Sequence, residues 1–170
     1  MSPSPVLPEV DPLIRKLAEE IAGHLTDRSA LVGIHTGGAW VAQKLYALLG
    51  PEIPLGTLDI AFYRDDFSRM GLHPQVRPSQ IDFPVEGAHI ILVDDVLYTG
   101  RTVRAAMNEL FDFGRPAAIE LAVLIDRGGR ELPIAAQYVG AVIPLPPHQH
   151  IQLNRDPQGR LSLSLLDKRH

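Results

Sequence analysis

Two adjacent carboxylates, Asp94 and Asp95, end an apolar run, and shortly after them comes Thr99-Gly100-Arg101-Thr102. Neighbouring acids repel one another and lose hydration on burial, so at a strand end they need something that uses them. The second group puts two hydroxyls, a permissive glycine and successive backbone N–H groups at a helix start. There the helix dipole and the unpaired donors favour an anion such as phosphate. Carboxylates aimed into a phosphate cradle would repel the phosphate, but beside it they suit hydroxyl groups or a metal. A sugar phosphate with Mg²⁺ offers both. A solvated strand terminus or a helix cap accounts for the acid pair taken alone. The spacing excludes a Walker loop and the dinucleotide G-x-G-x-x-G pattern.

The elements that must position these groups are legible from periodicity. His89–Asp94 reads as a buried strand, Val96–Gly100 as a turn, and Arg101–Phe113 as a helix. Upstream, Asp11-Pro12 reads as a helix start, with Leu13, Ile14, Leu17, Ile21 and Leu25 at helical spacing. Ala30–His35 reads as a strand buried on both faces, broken at Thr36-Gly37-Gly38 before a helix over Ala39–Leu49. In that helix Trp40, Val41 and Leu45 are expected in the core. Thr57–Tyr63 and Ala117–Ile125 read as further strands. Alternating strand and helix predict an α/β fold, a mainly parallel central sheet flanked by helices. Arg64–Val85 shows no sustained period and carries Gly71, Pro74, Pro78 and Pro84, the pattern of a functional or mobile loop. Residues 1–10, with three prolines, read as a flexible arm. The order of Tyr138–Leu166, interrupted by Pro144, Pro146 and Pro147, does not follow from the pattern. His148 and His150 lack a nearby third ligand and read as surface histidines.

Composition bounds the class. The chain has 170 residues, 45% hydrophobic and 21% charged, enough for a single domain with a real core. It has no cysteine, which excludes thiol catalysis, disulfides and cysteine-based zinc sites. A net charge of −4 gives no global attraction to nucleic acid. Without a signal-like start or a membrane-length apolar segment, a cytoplasmic protein free of the membrane is expected.

Ile91-Leu-Val-Asp-Asp-Val-Leu-Tyr-Thr-Gly-Arg-Thr102 resembles the phosphoribosyl pyrophosphate signature of type I phosphoribosyltransferases. The flanks narrow the resemblance. Asp59–Asp66, Asp95–Ala106 and Leu121–Ile134 look like the pyrimidine operon regulator family, PyrR. The similarity spans roughly residues 10–145 and implies the type I phosphoribosyltransferase fold with a small hood over about 126–145. It implies conversion of uracil and phosphoribosyl pyrophosphate to UMP and pyrophosphate, with a regulatory role in pyrimidine gene expression. It also implies Mg²⁺ held mainly by the substrate rather than directly by protein, and a homodimer or homotetramer.

By that resemblance Asp94 and Asp95 hold the ribose hydroxyls, while Leu97, Tyr98, Thr99, Gly100, Arg101 and Thr102 wrap the 5′-phosphate. His35, Thr36, Gly37 and Gly38 correspond to the pyrophosphate loop. Arg64 opens a mobile active-site loop over 64–85, and Arg127 and Arg130 lie in the hood over the base, where a structural ion-pair role suits them equally. Two departures stand out. Family members commonly carry arginine where Gly37 stands, so the leaving group loses a cation. Purine enzymes of the superfamily often place an acid at the position of Tyr98, and an ordinary phenol titrates near ~10, which favours uracil. On the RNA-binding face, Glu19, Glu20, Gly23, Gly129 and Ala135 replace polar or basic side chains. Carboxylates there oppose a phosphate backbone, so weak or absent binding of regulatory RNA is expected. Two other readings fit the same residues: a non-catalytic nucleotide-sensing regulator, and a phosphoribosyltransferase for another base.

Overall fold

The computed structural model describes residues 5–60 and 79–168. Helix α1 (Val10–Ala22) leads into β1 (Ser29–Ile34), α2 (Gly37–Leu49) and β2 (Leu55–Leu58). Then come β3 (His89–Leu97), α3 (Arg101–Phe111), β4 (Ala118–Asp126) and β5 (Tyr138–Val142). A hairpin of β6 (Gln149–Arg155) and β7 (Leu161–Asp167) ends the described chain. Strands β1 to β5 pair in parallel in the order β2-β1-β3-β4-β5.

That order reverses direction between β1 and β3. The chain first adds β2 on one side of β1, then returns to lay β3 on the other. In open parallel sheets the crevice at such a reversal, outside the carboxyl ends of the strands, is where ligands bind. Here it receives the loop after β1 and the acid pair of β3.

Every residue of β1 is buried, as are Ile90 to Asp94 of β3, because helices cover both faces of the sheet. Successive side chains of β3 alternate between faces. Ile91 and Val93 join the cluster that includes Leu17, Ile21 and Leu45 of α1 and α2, while Ile90 and Leu92 join Val103 and Leu110 of α3. The same alternation sends Asp94 and Asp95 in opposite directions. Among the described residues no helix is long and apolar enough to cross a membrane.

The structure departs from the sequence reading in several places. Helix α1 starts at Val10 with Glu9 as its N-cap, so Asp11 and Pro12 lie in the first turn. Proline is tolerated there because the first-turn N–H groups have no intrahelical acceptor. Val10 is buried and Leu7 packs on the core, so the end of the segment read as an arm is anchored. Strand β3 runs past the acid pair to Leu97, because Val96 and Leu97 still pair with Ile125 and Asp126 of β4. Much of the aperiodic segment, with Arg64, lies outside the described residues, as do residues 61–63 of the expected strand. Its end is tied down. Gln80 exchanges two backbone hydrogen bonds with Thr57 (2.8 and 2.9 Å), and the Ser79 hydroxyl donates to Glu109 Oε1 at 2.9 Å.

The range assigned to a hood, 126–145, contains β5, an edge strand of the central sheet. The unresolved ending proves to be an antiparallel hairpin whose register pairs Gln149 with Asp167 and Arg155 with Leu161. Its turn is built on Asp156, whose Oδ1 accepts the backbone N–H groups of Gln158 (2.9 Å) and Arg160 (2.8 Å).

Candidate active site

The two carboxylates are fixed differently. Asp94 is buried, and its Oδ1 accepts the N–H of Asp95 at 2.8 Å. Asp95 is half-buried, and its Oδ1 accepts the N–H of Val96 at 2.8 Å. The other oxygen of Asp95 faces the start of α2, where a Cβ added at Gly37 would collide with it. A Cβ at Gly38 would run into the carbonyl of Val93 and the backbone of Asp94. The first loop and the acid pair therefore meet through the space that two missing side chains leave. An arginine at 37 would require the Asp95 carboxylate to turn away, which links the missing cation to the placement of the acid.

Beyond β3 the chain makes the turn that begins α3. Gly100 is its N-cap with φ of 95°, a left-handed conformation that costs glycine least. A Cβ there would also meet Ile134 Cγ1 at 2.9 Å. The Thr99 hydroxyl accepts the N–H of Arg101 at 3.2 Å, and the Thr99 carbonyl accepts those of Glu131 (2.9 Å) and Leu132 (3.1 Å). The remaining first-turn donors of α3 have no intrahelical acceptor, which leaves the helix N-terminus suited to an anion. Thr102 is half-buried in this turn, Leu97 is buried beneath it, and Arg101 points outward to Glu131 (2.9 Å), both well exposed.

The segment after β4 locks this turn from the other side. Arg130 donates to the Tyr98 carbonyl (2.8 Å), the Ile134 carbonyl (2.9 Å) and Asp126 Oδ2 (2.6 Å). Arg127 is only 2% exposed and donates through Nη1 to Gln149 O (2.7 Å) and through Nη2 to Pro146 O (3.1 Å). Its guanidinium lies 3.8 Å from the centroid of the Tyr98 ring, and the His150 ring meets Tyr98 edge-on at 6.4 Å. Burial pushes the guanidinium pKa down while Tyr98 pushes it up. Arg130 through Nε, Nη1 and Nη2 and Arg127 through both Nη groups are hydrogen-bonded within their own chain, joining the loop after β3 to the segments around it, while the buried Nε of Arg127 has no hydrogen-bond partner among the described residues.

Gly129 has φ of 84°, and a Cβ there would collide with the Tyr98 ring. Gly129→Ala is expected to displace Tyr98 and raise the KM of a substrate bound at this turn about tenfold, an effect of ~1.4 kcal/mol. Steady-state kinetics against Gly128→Ala, where a Cβ meets nothing within 4 Å and φ is similar at 76°, isolates the collision from backbone strain.

A cavity of about 560 Å³ opens on the α2 side of the acid pair. Thr36, Gly37 and Trp40 form one wall, Asp95, Val96 and Tyr98 the floor. The hairpin supplies the facing wall with His150, Gln152 and Lys168. This volume is typical of a small-molecule site. The His35–Thr36 peptide at its edge is cis.

Sequence reasoning missed the hairpin wall and the place of Trp40. Trp40 was expected in the core at helical spacing. It does pack against the core but is only half-buried, and its ring also lines the cavity and carries the Arg155 guanidinium 4.7 Å from its centroid. A signal for the hairpin was present: alternating Leu161, Leu163 and Leu165 after Asp156-Pro157-Gln158-Gly159 is a strand following a turn. His148 is exposed as expected, whereas His150 is half-buried against Tyr98.

The family described as phosphoribosyl transferase domain matches residues 7–156. The chain is 51% identical over 171 residues to the bifunctional protein PyrR of Nitrosococcus oceani, covering 97% of each chain. It is 54% identical over 151 residues to the bifunctional protein PyrR of Pseudomonas entomophila, covering 86% of this chain and 88% of that one. Among solved structures, the purine phosphoribosyltransferase of Pyrococcus horikoshii superposes with a TM-score of 0.60 at 26% identity. That match covers 78% of this chain and 81% of the other. With both the five-strand parallel sheet and the identity to curated relatives extending over most of its length, the chain belongs to the PyrR family of phosphoribosyltransferases.

Proposed function

We propose that this chain transfers the phosphoribosyl group of phosphoribosyl pyrophosphate to uracil, forming UMP and releasing pyrophosphate. The observation that carries the reading is that, at the sheet's reversal point, Asp95 and Tyr98 border the 560 Å³ cavity, with Asp94 adjacent in β3 and the N-terminus of α3 following Tyr98 in the chain. Asp94 and Asp95 hold the ribose hydroxyls as charged acceptors. The first turn of α3, with the Thr99 and Thr102 hydroxyls, takes the 5′-phosphate. Thr36, Gly37 and Gly38 present backbone donors to the pyrophosphate. Displacement at C1 of the sugar builds positive charge on the ring as the bond to pyrophosphate breaks, and a base nitrogen forms the new bond while its proton passes to solvent. No protein nucleophile is required.

Arg127 and Arg130 serve the base by positioning the loop over 126–134, since the Nη groups of both and the Nε of Arg130 are engaged by carbonyls and Asp126.

Among the described residues there is no group of three or more His, Cys, Asp or Glu side chains able to hold a metal. Magnesium commonly binds through one or two carboxylates plus substrate phosphates, so it would be held mainly by the substrate, with Asp95 on the cavity wall able to contribute. When bound, it would neutralise charge on the leaving pyrophosphate.

The non-catalytic regulator reading is favoured by one observation, the Asp95 carboxylate set against Gly37 where a cation is otherwise expected. Glu19 and Glu20 are exposed on α1, which weighs against RNA on that face. A panel of uracil, orotate, hypoxanthine and guanine with phosphoribosyl pyrophosphate and Mg²⁺ tests the proposal. UMP formation from uracil alone is the expected result. Turnover of a purine instead would replace the substrate assignment, and binding of UMP with no turnover of any base would favour the regulator.

A further inference from the structure

The phosphoribosyl transfer just proposed leaves a charge problem, and this inference rests on that reading. The loop His35-Thr36-Gly37-Gly38 contains neither lysine nor arginine. Asp95 also closes the space that a side chain at Gly37 would need. A diphosphate leaving group carries several negative charges, and backbone N–H groups alone neutralise little of them. Mg²⁺ would offset part of that charge, and a basic side chain on the cavity wall can offset more.

Among the described residues three basic side chains line that cavity: Arg127, His150 and Lys168. Arg127 has both Nη groups on carbonyl oxygens of residues 145, 146 and 149. His150 has its pKa lowered, first by burial and then by the charges of Lys168 and Arg127, so its imidazole stays neutral around pH 7. Lys168 differs from both. It follows β7 directly, and its backbone N–H donates to the His148 carbonyl at 2.7 Å, which fixes its Cα beside the start of β6. Its side chain is exposed, and its ammonium makes no hydrogen bond or ion pair among the described residues.

We propose that Lys168 is the pyrophosphate-binding cation of this site. From the hairpin wall its ammonium meets the diphosphate held against Thr36 and Gly37, in place of a cation on the loop. The hairpin is therefore part of the substrate site, and a lysine on a four-carbon stem can follow the leaving group as it departs.

Calorimetric titration of the full chain with pyrophosphate, phosphoribosyl pyrophosphate and UMP, each with Mg²⁺, tests this in Lys168→Ala and Lys168→Arg. UMP has no diphosphate and serves as the internal control. Lys168→Ala should weaken both diphosphates about tenfold and leave UMP within about twofold, while Lys168→Arg recovers most of the loss. Pyrophosphate affinity unchanged in Lys168→Ala overturns the proposal. So does an equal loss for UMP, which would make Lys168 only a support of the hairpin. The two readings separate cleanly. Lys168-dependent pyrophosphate binding in a chain that makes no UMP removes the uracil assignment alone, and UMP formation with Lys168-independent binding removes only this inference.

Discussion

Asp94→Asn and Asp95→Asn, made together, are expected to lower kcat/KM for UMP formation by about two to four orders of magnitude. The figure follows from two charge-assisted hydrogen bonds to sugar hydroxyls, each worth roughly 1.5–3 kcal/mol. Asparagine keeps a carbonyl oxygen, so the Asp95 and Val96 N–H groups keep their acceptors and the local backbone is retained. Loss of activity should therefore come with an unchanged urea midpoint. The single variants should differ. Asp95 borders the cavity and Asp94 does not, because strand alternation turns them to opposite faces. Asp95→Asn should act mainly on the KM for phosphoribosyl pyrophosphate. Turnover of the double variant within about threefold of wild type would remove the ribose assignment.

The second large effect is structural. Arg127→Met should destabilise the chain by about 3–5 kcal/mol, because it strands buried carbonyl acceptors and removes the cation over the Tyr98 ring. The acceptors belong to the segment entering β6 and the ring belongs to the turn before α3, so one side chain ties the hairpin to that turn. Binding should fall with stability, and the KM for phosphoribosyl pyrophosphate should rise at least tenfold in the fraction still folded. Arg127→Lys keeps the charge but loses the planar fork that reaches several carbonyls while stacking on a ring, so it should rescue little. Urea unfolding followed by near-ultraviolet signals from Tyr98 and Trp40 measures both. A loss below about 1 kcal/mol in Arg127→Met would mean that the stack and its hydrogen bonds contribute nothing net.

The two predictions differ in how visible they were before the structure. The acid pair and the Thr99–Thr102 turn were legible because their chemistry is local. A strand end, a glycine with positive φ and the first turn of a helix are set by residues adjacent in sequence. The parallel sheet was legible for a related reason, since strands buried on both faces must be apolar throughout. Element ends were less so: β3 continues beyond the acids because β4 offers it partners, a fact held in another segment.

What the sequence by itself determined is the turn at Thr99–Thr102, the acid pair that follows the buried run of β3, the α/β class and the absence of a cation in the loop after β1. Only the tertiary structure decided that Asp95 fills the space at Gly37, that Arg127 and Arg130 are locked into their own chain, and that Trp40 borders a cavity. It also decided that Lys168 faces that cavity across more than a hundred residues of chain. The physical reason is distance along the chain. Helical and strand periods report which face of an element is apolar, but not which other element that face will meet.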